Sequence, residues 1–165
     1  MSDHRVFNPG DVACFVLTVS DTRTAATDTS GRAIVSALEG EGHAVTGHKI
    51  VRDEPDEVTG AVRQELREGH ARVIITTGGT GISRRDSTYE ALSTMFEKQL
   101  DGFGELFRML SFQEIGAPAM LSRATAGVVS GRAMFLLPGS EAAVLLAMTR
   151  LILPELGHIV KELTK

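Results

Sequence analysis

The sequence predicts a single α/β domain built on a mixed, mostly parallel sheet, and three features carry that prediction. Apolar runs rich in β-branched residues recur at 12–19 and 72–77, the pattern of strands buried on both faces. Between and after them, apolar residues fall at helical spacing, so strand and helix alternate as parallel crossover units require. A late pair of apolar runs flanks Ser130-Gly131, a dipeptide suited to a tight turn, which adds an antiparallel hairpin.

Taken in order, "VACFVLTV" is the first strand. It contains the one cysteine, Cys14, which reads as a buried thiol rather than a nucleophile. "DTSG" offers Asp28, Thr29 or Ser30 as the cap of a helix carrying Ile34, Ala37 and Leu38, which the glycines of "EGEGH" close. "VTGHKIV" is a weaker second strand. Pro55 then suits the first turn of a helix with Val58, Val62 and Leu66 on one stripe and Gly69 at its end. "RVIITT" is the third strand. Thr88 is expected to cap a helix bearing Ala91, Leu92, Met95 and Phe96. "GFGELFRMLSFQEIG" reads as a helix with Leu106, Phe107 and Leu110 inward, and "SRATAGVV" and "RAMFLLPG" form the hairpin. Gly139 and Ser140 open a long apolar helix that Pro154 should kink or break. Residues 1–10 are expected to be an N-terminal arm and 11–165 one domain.

Bulk properties exclude several function classes. The net charge is −4 with no block of like charges, which argues against a nucleic-acid partner. The opening residues are polar and lack the apolar core of a secretory signal, so a cytoplasmic location is expected. The apolar stretch near the end is interrupted by Thr149 and Arg150, too short and broken to expect a membrane span. The five histidines show no ligand spacing, so no zinc site is expected.

In an open parallel sheet, ligands bind beyond the carboxyl ends of the strands. Here those ends carry Ser20 and Asp21 after the first strand, and Asp53 and Glu54 after the second. After the third come Thr77, Gly78, Gly79, Thr80 and Gly81, then Arg84, Arg85 and Asp86; after the last, Pro138, Gly139 and Ser140. Hydroxyls, exposed backbone N–H groups and carboxylates on one edge make the composition of a phosphate and metal-ion site. The three glycines imply unusual dihedrals or a close backbone approach. "GGTG" is not a P-loop, since no Gly-Lys-Ser or Gly-Lys-Thr follows, and Arg84 stands where a dinucleotide fingerprint needs its third glycine. Each segment also has a bland reading: a strand-to-helix turn, an acid complementing a helix dipole, a solvated loop charge, a serine cap.

Together, "TTGGTG…RD.T.EA", "SDTR…DTSG", "FGELFR.LSF.EIG", "SRA.AG" and "PGS" resemble the MoaB/MogA family of molybdenum cofactor biosynthesis, the MoaB branch more than MogA, over about 12–156. The resemblance implies a three-layer sandwich, helices flanking the mixed sheet, assembled as a homo-oligomer, a trimer or hexamer. It implies binding of molybdopterin, a pterin-dithiolene phosphate, and its adenylylation with Mg-ATP, releasing pyrophosphate. The alternative is a non-catalytic molybdopterin-binding paralogue that carries or stores the pterin. By the same resemblance Asp53 and Asp86 are the catalytic, metal-associated carboxylates. Thr77, Gly78, Gly79, Thr80 and Gly81 form the nucleotide- and pterin-binding loop, and Ser20, Asp21, Ser122, Pro138, Gly139 and Ser140 line the rest. The family's usual Val-Thr-Pro-Glu helix opening is "STYE" here, so Ser87 replaces an apolar residue and Tyr89 a proline.

The chemistry so implied suits these residue types. A phosphate monoester is mostly ionised at pH 7, so its attack on the α-phosphorus of ATP needs no strong base. What must be overcome is repulsion between anions, which Mg²⁺, backbone N–H groups and Arg85 would offset. Asp53 and Asp86 therefore read as Mg²⁺ ligands rather than proton acceptors. The "FGELFRMLSF" segment and the long final helix carry apolar surface that fits the oligomer expectation.

Overall fold

Apolar side chains alternate along the central strands, so each strand feeds two cores and the sheet must be covered on both sides. A computed structural model describes residues 11–165; the expected arm at 1–10 lies outside the described residues. The elements are β1 (Ala13–Val19), α1 (Thr29–Gly40), β2 (Ala44–Val51), α2 (Pro55–Glu68), β3 (Val73–Thr77), α3 (Thr88–Ser93) and β4 (Lys98–Gln99). They continue with α4 (Asp101–Ile115), a 3-10 turn (Ala117–Leu121), β5 (Thr125–Val129), β6 (Arg132–Leu137), α5 (Glu141–Ala147) and α6 (Leu153–Leu163).

The six strands lie in the order β2-β1-β3-β6-β5-β4. β2, β1, β3 and β6 run parallel, while β5 is antiparallel to both of its neighbours. Cys14, Val16, Val73, Ile75, Phe135 and Leu137 face a core shared with α1, α4, α5 and α6. Leu17, Ile74, Met134 and Leu136 face a second core against α2 and α3. The result is the expected mixed, mostly parallel sheet between two helical layers. Burial pushes the Cys14 thiol up to about 12, so it stays protonated and inert at neutral pH.

Local chemistry sets the boundaries. Asp28 caps α1, accepting from the Gly31 N–H at 2.9 Å, and Pro55 occupies the first turn of α2. Ser130 and Gly131 both have positive φ, 48° and 70°, as the primed two-residue turn between β5 and β6 requires.

Four local expectations need correction. Thr88 does not cap α3: it lies inside the first turn, after Ser87, and its buried hydroxyl has no partner among the described residues. The helix also stops before Met95 and Phe96, because the chain must turn into the two-residue strand β4, where the Glu97 and Leu100 N–H groups bond to Val128 and Ala126. Leu106 is 47% exposed, lying off the Phe107–Leu110 stripe that α4 buries. Finally, Pro154 does not break the last helix. A π-turn at Met148–Ile152, in which the Leu153 N–H bonds to the Met148 carbonyl, inserts the extra residue that lets the ring fit. The helical rod Glu141–Leu163 is thus unbroken over 23 residues, long and apolar enough by length and composition to cross a membrane. Its Val144, Ala147, Met148, Ile152 and Leu156 belong to the first core, as in a helix packed on a sheet.

Candidate functional site

Because β1, β2, β3 and β6 are parallel, their carboxyl ends and the loops that follow meet on one edge of the sheet. Two adjoining cavities open there. The first, about 260 Å³, contains Ser20, Asp21, Asp53, Thr77, Gly78 and Arg85. The second, about 420 Å³, contains Thr80, Gly81, Ser122, Pro138 and Ser140, with Phe107, Ile115 and Leu121 on its apolar side. Gly79, Asp86 and Gly139 border both. Of the residues expected on this edge, all but Glu54 and Arg84 line one cavity or the other.

The glycine loop is shaped by its own chain. Gly78 and Gly79 have φ of 97° and 71°, a region that side chains rarely adopt. A Cβ on Gly79 would stand 2.0 Å from Thr88 Oγ1 and 2.8 Å from Asp53 Oδ2. The loop is therefore seated directly on the start of α3 and on Asp53. The Thr77 hydroxyl donates to the Pro138 carbonyl at 2.8 Å and Ser30 Oγ to the Gly139 carbonyl at 2.7 Å, tying the β3, β6 and α1 ends together.

Both carboxylates are held by serines. Asp53, only 7% exposed, accepts from the Ser87 N–H at 3.2 Å and the Ser87 hydroxyl at 2.7 Å, both at Oδ1. Asp86 Oδ2 accepts from the Ser83 N–H and hydroxyl at 3.0 and 2.6 Å. Asp53 Oδ2 and Asp86 Oδ1 accept nothing from the described residues, so each carboxylate keeps one oxygen for a ligand. Among the described residues there is no group of three or more His, Cys, Asp or Glu that could hold a metal ion. Two carboxylates suit a cation such as Mg²⁺, which commonly takes one or two protein carboxylates and completes its shell with ligand phosphates and water.

The remaining charges form a clasp. Arg85 bonds Asp21 at 3.0 Å and Glu54 at 2.9 Å, joining the loops after β1, β2 and β3. The backbone N–H of Asp53 and then Arg85 hold the Asp21 carboxyl below the usual range. With its folded value depressed, the Asp21 arm of the clasp is complete above the ordinary carboxylate pKa and is released as pH falls through the folded value.

Sequence reasoning missed two constellations. Arg123 donates from Nε to the Thr80 carbonyl at 3.0 Å and from Nη2 to the Gly81 carbonyl at 2.5 Å, while also pairing with Glu90. Its guanidinium lies 4.8 Å from the Tyr89 ring centroid, so Tyr89 braces the arginine that fixes the loop. Arg123→Ala is expected to cost about 1–2 kcal/mol in urea unfolding, with Arg123→Lys restoring less than half because an ammonium lacks the fork. An unchanged midpoint would contradict that role. The second constellation is a buried cluster: Asp28 Oδ2 accepts from Thr18 Oγ1 at 2.6 Å and meets His48 Nε2 at 2.9 Å. Thr18 and Asp28 reach the first cavity.

Residues 15–158 match the family model described as "Probable molybdopterin binding domain". The chain is 49% identical to molybdenum cofactor biosynthesis protein B of Halalkalibacterium halodurans, the alignment covering 100% of this chain and 98% of that one. It is 48% identical to the protein of the same name in Bacillus subtilis, with the same coverage. Among solved structures, a molybdenum cofactor biosynthesis protein B superposes with a TM-score of 0.91 at 48% identity, over 94% of this chain and 98% of that one. The tungsten cofactor synthesizing protein MoaB from Pyrococcus furiosus gives 0.86 at 38% identity, over 95% and 99%.

Proposed function

The chain belongs to the molybdopterin-binding family of molybdenum cofactor biosynthesis proteins, and we propose that it binds molybdopterin in the joined cavities and adenylylates it with Mg-ATP. The observation that carries this reading is that Asp53 and Asp86, from loops after different strands, border one cavity with the glycine loop. That cavity is lined by four carboxylates, Asp21, Asp28, Asp53 and Asp86, and two guanidiniums, Arg23 and Arg85. An anionic phosphate would meet net negative charge there unless a cation entered with it. Asp53 and Asp86 would hold Mg²⁺, which when bound supplies the positive charge that draws two phosphate groups together.

The protein's own groups do the rest. Backbone N–H groups and hydroxyls of Thr77–Gly81 would orient the phosphates, and the apolar wall of the second cavity would exclude water from part of the ligand. A phosphate oxygen of the pterin attacks the α-phosphorus, a new P–O–P bond forms, and the bond to the β-phosphate breaks to release pyrophosphate. No proton needs to move, which agrees with a site whose acids are held by serines rather than by a histidine. Purified protein incubated with molybdopterin and Mg-ATP is expected to yield AMP-pterin and pyrophosphate in equal amounts. Binding of the pterin without product would leave a carrier or storage protein.

The same reading includes a homo-oligomer. Leu106, Met109, Phe112 and Ile115 on α4, with Met120 and Leu121 after it, are all exposed. This face adjoins the second cavity, which Ile115 and Leu121 line, so a second copy seated on it would help to wall that cavity. Sedimentation is expected to give a trimer or hexamer at micromolar concentration, and Phe112→Glu with Met120→Glu a monomer. A monomeric parent protein would defeat the assignment.

A further inference from the structure

The charges at the rim of the first cavity are not equivalent. Arg85, the basic residue that sequence reasoning placed at the site, is already matched by Asp21 and Glu54. Arg23 also lines this cavity but pairs with no carboxylate among the described residues. Its Nη1 is tethered instead to the Thr27 carbonyl at 2.5 Å, with a longer approach to Thr29 Oγ1 at 3.4 Å. Nε and Nη2 donate to nothing among the described residues.

The loop that carries Arg23 is built to hold it there. Ser20 Oγ accepts from the N–H groups of Thr22 and Arg23 at 3.2 and 3.0 Å, turning the chain sharply out of β1. The Thr24 N–H donates to Thr27 Oγ1, and the Thr27 and Asp28 N–H groups return to the Thr24 carbonyl, closing the loop onto the capped start of α1. The backbone of Arg23 is thus fixed at both ends, and one nitrogen of its fork is fixed as well. Two of its nitrogens, Nε and Nη2, are left without a partner among the described residues, on a residue that lines a cavity with four carboxylates and one other guanidinium, Arg85.

We propose that Arg23 is the phosphate-gripping residue of this site, a binding residue for a phosphate group delivered with Mg²⁺, whereas Arg85 serves to hold Asp21 and Glu54. The inference rests on the reading of the cavity as a Mg²⁺-phosphate site. A guanidinium with two free, pre-oriented donors matches two phosphate oxygens, and a tethered side chain loses little entropy on binding. It also places a positive charge at the entrance of a cavity whose carboxylates would repel an anion, so its effect should depend on salt.

Calorimetric titration with Mg-pyrophosphate, Mg-ATP, molybdopterin and adenosine, on the parent protein and on Arg23→Gln and Arg23→Lys, tests this. For Arg23→Gln, affinity for a phosphate-bearing ligand is expected to fall about ten- to hundredfold, with Arg23→Lys between. Adenosine affinity and the melting temperature should be unchanged. A loss confined to pyrophosphate and ATP would assign the nucleotide phosphates to Arg23, and one confined to molybdopterin would assign the pterin phosphate. Affinities within twofold of the parent for all four ligands would overturn the inference while leaving the proposed function standing. Equal weakening of adenosine and pyrophosphate would overturn it too, as a purely structural effect of the loop. If the parent protein binds none of the phosphate ligands, the proposed function falls, and this inference with it.

Discussion

Replacing Asp53 by Asn is expected to lower the rate of AMP transfer at least about a hundredfold while leaving the fold intact, the scale seen when one preorganised electrostatic contact is lost at a reacting centre. The substitution keeps the shape and an oxygen that can accept from Ser87, so the bonds of 3.2 and 2.7 Å that seat α3 against the loop can persist. What it removes is the negative charge on an oxygen beside Gly79 that no donor among the described residues satisfies. Asp86→Asn should behave alike, since Ser83 holds one of its oxygens in the same manner. If both carboxylates hold one cation, the double variant should be little worse than either single variant, as groups acting as a unit are not additive. Single-turnover measurements with saturating Mg-ATP, beside thermal melts, decide it. A folded Asp53→Asn protein with near-parental turnover would remove that residue from the chemistry.

The largest expected effect on stability comes from Gly79. Gly79→Ala should cost about 3 kcal/mol or more, from a backbone held at φ 71° and a Cβ placed against two neighbours. For a chain of this size that is a fall in melting temperature of roughly 6–12 °C. Thr88 Oγ1 and Asp53 Oδ2 cannot withdraw freely, since Thr88 is fully buried and Asp53 nearly so. Any loss of ligand binding in this variant would therefore follow from displacement of Asp53 and the loop, not from blocking a ligand's approach to the backbone. Calorimetric melting of Gly79→Ala beside Gly42→Ala separates local crowding from the cost of positive φ. Gly42 also has positive φ, 82°, but a Cβ there would meet nothing within 4 Å. Equal effects at the two positions would contradict the crowding argument.

These two cases show what the sequence makes legible and what it hides. The parallel strands β1, β3 and β6 were readable because they are buried on both faces, which turns each into an apolar run, whereas the edge strand β2, with no fully buried residue, left only a weaker pattern. Helix-start residues such as Asp28 and Pro55 act within a few residues of themselves. The edge on which Asp53, Asp86 and the glycine loop meet follows from strand direction alone. The short strand β4 was not readable, since two residues, Lys98 and Gln99, carry no periodicity. Nor was Arg123, whose partners Thr80 and Gly81 lie some forty residues earlier and join it only once β5 sits beside β6. The Thr18–Asp28–His48 cluster left one faint sign, a polar residue in each of two adjacent strands on the side that α1 covers. What the glycines accommodate was likewise hidden: local sequence reports freedom of φ, while the neighbour that uses it arrives from Asp53 and Thr88.

Ser87 and Tyr89, at the start of α3, both have partners in the fold. Ser87 bonds Asp53 with both its N–H and its hydroxyl, and Tyr89 lies under Arg123. Each thus acts on a part of the site that the rest of the chain already positions.

The most direct test is a crystal grown with Mn²⁺ in place of Mg²⁺ and a non-hydrolysable ATP analogue, with the metal located by its anomalous signal. The expected result is a peak within about 2.5 Å of carboxylate oxygens of both Asp53 and Asp86, with the analogue's phosphates completing the shell. A metal bound elsewhere, or nucleotide bound away from these two carboxylates, would contradict the account.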